Sequence, residues 1–459
     1  MSNKKAIQYH RVTLWRIPMQ KSHATLALEK RRDILQPHIV QVSDNVWVSV
    51  AEDVSNVSVI RGKNGLVLVD TGMIPDRAAH TLQAFREIMP LGEYPIKAIV
   101  YTHGHGDHTG GSSVFCSEGS TPEIWARDNF GSEVLPFEQA GLMPLFKARG
   151  AMQGGFLLPP EKRICNGIAP IRYPRAGGAV FSGKTGAVPP DHFFNGLSTH
   201  LNIAGLELWL FATPGETDDA LSVWFPGERV LFCGDALYRS FPNVYPVRGT
   251  GSRPIPTWCS SLQLLDSLGA DVLVPGHTDP FIGREHIHDV ITNYHDALEY
   301  VQNKTIEGMN MGKTPDELAC EITLPDHLTS LDYLEEVYGN VSWTVRNIFN
   351  QYVGWFDGNP LRLYSDFTRV EEARRMVELA GGEDELLKNA RTALERNDAA
   401  WAARLADHLL VLAPDNADYM LLKADALEVL GETMLTATGR NFTLTAAQKL
   451  REQAQKSDK

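Results

Sequence analysis

The sequence predicts an α+β protein in which a strand-rich part is followed by a mainly helical part. Between Ile39 and Asp70, runs rich in valine and isoleucine alternate with turn residues, and Asn64-Gly65 separates two of them. Asn-Gly between such runs is a strong hairpin signal. Beyond residue 284 the strand patterns fade and helical spacing of apolar residues takes over. A chain of 459 residues has room for two or three domains of this kind.

Composition and charge exclude several classes of protein. Hydrophobic residues make up 43% and charged residues 22% of the chain, which is typical of a globular protein with a sizeable core. The net charge of −13 argues against a nucleic-acid-binding surface, because phosphate contacts need clustered lysine and arginine. No apolar stretch of about 18 residues or of signal-peptide length occurs, so we expect no membrane span and a cytoplasmic location.

The cysteines do not form a framework. The five are scattered, odd in number and without a Cys-x-x-Cys pair, which argues against disulfides and against a cysteine zinc site. We expect buried or inert thiols.

The most specific pattern is a glycine-rich loop that follows the predicted strand from Ile96 to Val100. The loop contains His103, His105, Asp107 and His108. Neutral imidazole and carboxylate are the usual nitrogen and oxygen ligands of Zn²⁺. A strand aims successive side chains at opposite faces, whereas a loop with small residues can aim neighbours at one point. The loop therefore predicts a metal site.

Further candidate ligands stand where other predicted strands end. Glu216, Asp235 and His277 each follow an apolar run directly. If these strands end at one edge of the fold, their loops meet there. Asp70 also ends a strand, where it would either orient a ligand histidine or serve as a turn residue.

Four other regions carry structural expectations. Residues 141–190 show little periodicity, and we favour a substrate-side cover over a passive surface excursion. The apolar, aromatic block at 350–360 suits helix packing or a subunit interface. Residues 383–413 resemble helix pairs of the tetratricopeptide kind, which favours internal packing or dimerisation over a peptide groove. From Arg451 the chain is polar and predicted to fray.

The ordered set from the histidine loop through Glu216, Asp235 and His277 resembles the metallo-β-lactamase superfamily, which implies an αββα sandwich with two metal ions. Most of that superfamily has histidine where this chain has Glu216, and a carboxylate there is similar to the alkylsulfatase branch. The helical region resembles that branch's dimerisation domain, which implies a homodimer. The implied division is an N-terminal extension at 1–38, a catalytic domain at 39–283 with a lid insertion at 141–190, a helical dimerisation domain at 284–450 and a polar tail at 451–459.

The same resemblance implies a role for each candidate residue. One Zn²⁺ would be held by His103, His105 and Glu216, and the other by Asp107, His108 and His277, with Asp235 bridging; Asp107 and Asp235 are the candidate catalytic carboxylates. The segment 241–249 resembles the part of an alkylsulfatase that grips sulfate. There Arg248 supplies a charged fork and Asn243 an amide donor, while Tyr245 is a weaker candidate.

The implied function is hydrolysis of an alkyl sulfate ester by a dizinc enzyme. One alternative is the same site acting on a phosphodiester, a lactone or a thioester, since phosphate also favours arginine. A second alternative is a helical interaction protein whose metal fold has lost activity, for which missing ligands would be the signature. None of the ligands is missing here.

Overall fold

The computed structural model of the protein describes residues 21–88, 94–116, 121–171, 186–363 and 367–457. The first sheet has seven strands in sequence order: β1 His38–Ser43, β2 Val46–Val50, β3 Val57–Arg61, β4 Leu66–Val69, β5 Ile96–Val100, β6 Glu123–Arg127 and β7 His192–Phe194. Strands β1 to β4 pair antiparallel, and the Asn64-Gly65 hairpin is confirmed. Strands β4 to β7 pair parallel.

The second sheet has six strands: β8 Ser198–Ile203, β9 Leu206–Ala212, β10 Leu221–Phe225, β11 Val230–Gly234, β12 Val272–Pro275 and β13 Phe281–Ile282. Only β11 and β12 pair parallel within it. The sequence predicts strand from 201 to 211 without a break, but the structure has two strands there, because Ala204 and Gly205, with φ of 54° and 75°, turn the chain between them. The apolar alternation continues through that turn and hides it from the sequence.

The helices follow in chain order. They are α1 His23–Ile34, α2 Pro75–Ile88, α3 Gly106–Thr109, α4 Ser112–Cys116, α5 Leu135–Gln139, α6 Met143–Gln153, α7 Ile255–Ser267, α8 Arg284–Asn310, α9 Pro315–Glu321, α10 Asp326–Thr329, α11 Val341–Val353, α12 Arg369–Ala380, α13 Glu383–Glu395, α14 Ala399–Leu412, α15 Ala417–Glu432 and α16 Ala437–Ser457. Among the described residues, no helix is long and apolar enough to cross a membrane.

The two sheets pack face to face. Valines of β2 and β4 share one buried cluster with Leu208 and Leu210 of β9 and with Val230 of β11. Apolar side chains on the other face of the first sheet pack against α2, and those of the second sheet pack against α7 and α8. The result is the αββα sandwich that the resemblance implied. Because parallel strands end at the same edge of a sheet, the loops after β4 and β5, and those after β11 and β12, meet on one side.

The helical region is joined to the sandwich rather than set apart from it. Ile287 and Val290 of α8 share one hydrophobic cluster with Leu273 of β12, so α8 packs on the outer side of the sandwich. The domain boundary at 284 stays a prediction. The sequence Thr314-Pro315 predicts a capped helix start, and the structure confirms it with a capping box in which Glu317 is the partner of Thr314. Helices α12 to α16 each pack on the next.

The C-terminal end of the chain is more ordered than predicted. The C-terminal residues continue α16 through Ser457 instead of fraying, because Arg451 pairs with carboxylates of α15. Residues 458–459 lie outside the described part. Within the predicted N-terminal extension, α1 is anchored to α15 by Thr25, which donates to Glu432, while residues 1–20 are not described.

The insertion at 141–190 is less irregular than predicted. It contains α6, which begins with Pro144 in its first turn and buries Ala151 and Gln153. Alanine is only weakly apolar and glutamine is polar, so the sequence of this helix shows no strong hydrophobic period. Helix α6 packs against α16. Residues 172–185 of the insertion lie outside the described ranges. The five cysteines are free thiols.

Candidate metal centre

The histidine loop follows β5 and places two imidazoles around one point. His103 Nε2 and His105 Nδ1 face each other at 2.8 Å, and both residues are buried. Gly104, between them, has no room for a side chain, because a β-carbon there would lie 2.8 Å from the Asp219 carboxylate. Asp219 Oδ2 accepts hydrogen bonds from the N–H groups of Gly104 and Gly131. This carboxylate therefore fixes the path of the loop.

A second cluster contains Asp107, His108 and His277. Asp107 Oδ2 lies 3.7 Å from Nε2 of both histidines. Asp235 Oδ1 lies 3.4 Å from His108 Nε2, and Asp235 Oδ2 lies 3.1 Å from His277 Nε2. The same Oδ2 lies 3.8 Å from Nε2 of His103. The Asp235 carboxylate thus stands between the two clusters.

Each of the four histidines is held through its other ring nitrogen. The contacts are His103 Nδ1 with Thr102 Oγ1 at 3.0 Å, His105 Nε2 with Glu133 Oε2 at 2.5 Å, His108 Nδ1 with Asp70 Oδ2 at 2.7 Å, and His277 Nδ1 with the Val54 carbonyl at 2.7 Å. Such partners orient a metal-binding imidazole and determine which nitrogen keeps its proton. Asp70 takes this position with a left-handed φ of 59° at the end of β4, a conformation that costs energy outside glycine.

The clusters contain buried polar atoms that no hydrogen bond satisfies. Within the described part of the chain, His108 Nε2 and Asp235 Oδ1 are buried without a hydrogen-bond partner. Such atoms are rare in folded proteins and call for an ion or another ligand. Imidazole nitrogens and carboxylate oxygens a few ångströms apart are the donors that Zn²⁺ takes. The residues therefore fit the metal ions that the resemblance implies.

Burial and charge act against each other in this centre. Burial, together with the neighbouring imidazoles of His108 and His105, holds the pKa of His103 well below its usual value. Burial alone would raise the pKa of Asp235, but His277 and His108 outweigh it and hold that pKa well below its usual value. These forms of His103 and Asp235, a neutral imidazole and an ionised carboxylate, are the ones that metal binding requires. Burial alone would lower the pKa values of His108 and His277, but the Asp235 carboxylate outweighs it and raises both, so these two imidazoles have to release a proton when a metal ion binds.

Glu216 lies in the loop between β9 and β10, on the side of the first cluster. Its Oε1 lies 3.9 Å from His105 Nδ1 and 2.8 Å from Nη1 of Arg253. The Tyr238 hydroxyl donates to Oε2 at 3.4 Å. Burial raises the pKa of Glu216, and the Arg253 guanidinium acts in the opposite direction. A buried arginine therefore supplies the counter-charge of this carboxylate.

The segment 241–249 lies beside the first cluster. Arg248 Nη2 donates to Glu133 Oε2 at 2.9 Å and lies 3.1 Å from His105 Nε2. Asn243 is 1% exposed, and neither of its amide atoms has a partner among the described residues. Tyr245 is partly buried. A guanidinium and an unpaired buried amide beside a metal-binding cluster suit an oxyanion.

Helix α6 of the insertion holds Arg248 from the other side. Gln153 Oε1 accepts the Arg248 backbone N–H at 2.9 Å, and the ring of Phe146 lies 4.7 Å from the guanidinium carbon. Arg149 donates through Nε to the Val247 carbonyl at 3.1 Å. The insertion therefore contacts the predicted anion-binding segment directly.

Comparison with known proteins agrees with this geometry. Residues 50–277 match the family described as the metallo-beta-lactamase superfamily, and residues 314–453 match the family described as alkyl sulfatase dimerisation. The chain is 35% identical over 400 residues to a linear primary-alkylsulfatase of Pseudomonas sp., covering 85% of this chain and 73% of that protein. This chain belongs to the alkylsulfatase branch of the metallo-β-lactamase superfamily.

Other alkylsulfatases are similar over the same length. The chain is 30% identical to an (R)-specific secondary-alkylsulfatase of Pseudomonas sp., covering 87% of this chain and 60% of that protein. The solved structure of the stereoselective inverting sec-alkylsulfatase Pisa1 from Pseudomonas sp. is 27% identical with a TM-score of 0.82, covering 94% of this chain and 69% of that one. The chain thus spans 60% to 73% of the lengths of these alkylsulfatases.

Two charged residues of the centre were not predicted from the sequence. Glu133 follows β6 by six positions, so the rule that led to Glu216 and Asp235 could have found it. Arg253, five positions after Arg248, could have been found by asking which cation balances a buried carboxylate. Both side chains are at most 7% exposed.

Proposed function

We propose that the protein is a dizinc hydrolase that converts alkyl sulfate esters into an alcohol and inorganic sulfate. The observation that carries the proposal is the position of Arg248, whose guanidinium lies 3.1 Å from His105 at the first cluster. A planar, permanently charged fork at this place matches the oxygens of a sulfate group. The relatives whose names describe alkylsulfatases support the same substrate class.

In this proposal the two clusters each hold one metal ion. The ligands are His103, His105 and Glu216 for one Zn²⁺, and Asp107, His108 and His277 for the other, with Asp235 between them. When bound, two zinc ions supply Lewis acidity and activate water at neutral pH. Asp235 and Asp107 are the carboxylates that can hold a proton next to the reacting atoms. Of the two, Asp107 is the more exposed, with 25% of its side chain accessible against 6% for Asp235.

The other residues bind and cover the sulfate. Arg248 contacts two sulfate oxygens, and the Asn243 amide donates to a third, because its buried N–H groups have no protein partner among the described residues. Tyr245 lies in the same segment and is the third candidate. Helix α6 covers this side, since Gln153 and Phe146 contact Arg248. Water is thereby kept from the anion, which strengthens its contacts with charged groups.

The test is an ester panel with the zinc-loaded protein. An alkyl sulfate, a phosphodiester, a lactone and a thioester of matched chain length are compared by kcat/KM, before and after removal of metal by a chelator. We expect turnover of the alkyl sulfate, loss of turnover on chelation and recovery with zinc. Preferential turnover of the phosphodiester, the lactone or the thioester would overturn the assignment in favour of that ester class.

We also propose that the protein forms a homodimer through its helical region. Apolar side chains stand exposed around the end of α11, with Tyr352 at 56%, Trp355 at 69%, Leu361 at 76% and Leu363 at 60%. Large apolar side chains that are exposed within one short stretch of the chain are what a subunit interface would bury. Light scattering after size-exclusion chromatography should give a dimer mass for the native protein and a monomer mass for Trp355→Asp. Leu197→Asp, at an exposed leucine in the β7–β8 turn, is the control that should remain dimeric. A monomeric native protein contradicts the proposal.

A further inference from the structure

Glu133 receives four hydrogen bonds in a buried position outside the predicted ligand set. Its Oε2 accepts from His105 Nε2 at 2.5 Å and from Arg248 Nη2 at 2.9 Å. Its Oε1 accepts from Thr250 Oγ1 at 2.5 Å and from Arg253 Nη2 at 2.7 Å. Only 7% of its side chain is exposed. One carboxylate therefore joins a candidate metal ligand to the candidate anion-binding arginine.

The contacts of Glu133 Oε2 determine which neighbouring nitrogen atoms carry protons. Since Arg248 Nη2 always carries hydrogen, its 3.1 Å contact with His105 Nε2 is no hydrogen bond when that nitrogen is protonated; both groups donate to Glu133 instead. His105 then presents the lone pair of Nδ1 to the first cluster. Arg253 extends the network, because its Nη1 lies 2.8 Å from Glu216 Oε1. Two carboxylates and two guanidinium groups balance in charge.

We propose that Glu133 is a positioning residue that holds the metal ligand His105 and the anion-binding Arg248 through one oxygen, so that metal affinity and sulfate affinity both depend on it. The sulfate half of this inference rests on the proposed function; the metal half does not. Glu133 acts only through its neighbours and is not itself placed to touch substrate.

Asp70 provides a matched comparison. It holds His108 Nδ1 at 2.7 Å, as Glu133 holds His105, and it also accepts hydrogen bonds from the N–H and the hydroxyl of Thr102. Among the described residues no arginine contact of Asp70 is present. Asp70 therefore orients a histidine without touching the anion-binding segment.

Replacing the Glu133 carboxylate by the isosteric amide removes the negative charge on which both roles depend. In Glu133→Gln the two arginines lose their shared negative charge. Arg253 keeps the Glu216 carboxylate and the Asn243 carbonyl as partners. Arg248 keeps the Gly249 carbonyl and the face of the Phe146 ring, neither of which carries a negative charge. Arg248 has 12% of its side chain exposed and Arg253 only 1%. Arg248 is therefore the group that turns away, and His105 loses its charged acceptor.

The experiment measures zinc affinity against a competing chelator and inorganic sulfate binding to zinc-saturated protein by calorimetry. For Glu133→Gln we expect zinc affinity to fall roughly 10- to 100-fold, the usual effect of losing such a partner, and sulfate affinity to fall about tenfold. For Asp70→Asn we expect the loss in zinc affinity alone. Unchanged zinc or sulfate affinity in Glu133→Gln overturns the proposal, as does an equal loss of sulfate affinity in Asp70→Asn.

Two outcomes need a further measurement: a Glu133→Gln protein that does not fold, and a native protein that does not bind sulfate. If Glu133→Gln does not fold, Thr250→Val removes only one of the four bonds to Glu133 and should lower both affinities by a smaller factor; unchanged values contradict the proposal. If the native protein binds no sulfate, the proposed function has failed, and Glu133 is judged by zinc affinity alone.

Discussion

Gly276 lies so close to Asp235 that no side chain fits between them: a β-carbon on Gly276 would lie 2.3 Å from Asp235 Oδ1 and 2.8 Å from His108 Cε1. The Gly276 N–H donates to the Gly234 carbonyl at 2.7 Å, so the backbone cannot easily move aside. The glycine before His277 is therefore needed for the approach of two strand-end loops.

From this contact we expect Gly276→Ala to disrupt the centre without unfolding the sandwich. The added methyl group displaces the Asp235 carboxylate, and a displacement of about 1 Å at a reacting centre costs roughly 100-fold in rate. Zinc content by atomic absorption and kcat/KM for an alkyl sulfate check the prediction. Gly251→Ala is the control, since a β-carbon there meets no atom within 4 Å. If Gly276→Ala keeps the native metal content and turnover, the backbone has moved to make room for the β-carbon and the prediction is wrong.

Arg248→Ala should impair sulfate-ester turnover while leaving zinc content intact. The guanidinium contacts the substrate side of the centre, whereas Glu133 keeps His105, Thr250 and Arg253 as partners after its removal. Loss of a charge-assisted contact of about 1.5–3 kcal/mol corresponds to a rise in KM of roughly tenfold or more. Steady-state kinetics and metal analysis separate the two quantities. Arg346→Ala, at an exposed pair with Asp316, is the matched control, and equal loss of metal and turnover would contradict the assignment.

Glu216→His should lower both stability and zinc content, even though histidine is the common residue at this place in the superfamily. Arg253 is 1% exposed and bonds to Glu216 at 2.8 Å. An imidazole there leaves the buried guanidinium facing a second potential cation, and breaking a buried pair costs about 3–5 kcal/mol. Thermal unfolding and zinc stoichiometry test this. Glu378→His, at an exposed site on α12, should change neither quantity. A stable, zinc-loaded Glu216→His protein would mean that Arg253 is no counter-charge.

The Glu432 carboxylate of α15 accepts hydrogen bonds from Thr25 of α1 and from Lys162 of the insertion, and these contacts should weaken in acid. Burial raises the pKa of Glu432, but Arg440, Lys162 and Thr25 outweigh it and leave that pKa below its usual 4.5. A carboxylate whose pKa is lower in the folded state stabilises the fold at any pH above its pKa in the unfolded chain. This contribution is lost as the pH falls through the pKa of the folded state. Glu432→Gln should therefore cost about 1.5–3 kcal/mol at neutral pH and progressively less below pH 4.5. Urea unfolding at several pH values measures the difference; a cost that is independent of pH would contradict it.

The candidate metal ligands could be predicted from the sequence because they repeat one pattern. Each candidate ligand follows an apolar strand, and strand ends are recognisable from composition and spacing. The Asn64-Gly65 hairpin and the capped start of α9 have short-range causes and were predicted for that reason. Helix α6 was missed because its buried positions are weakly apolar, and the turn at Ala204-Gly205 was hidden by continuous alternation.

The sequence by itself predicted the fold class, the candidate metal ligands as residue types in order, and Arg248 as a candidate for binding an anion. Only the tertiary structure decided what holds these groups. Glu133 lies 115 positions from Arg248 and 28 from His105, yet one of its oxygens meets both. Pairing of this kind depends on how two sheets and an insertion close over the site, and no local pattern encodes it. Charges buried at long sequence separation are chosen by packing, because only the assembled site excludes water and requires each charge to find a partner.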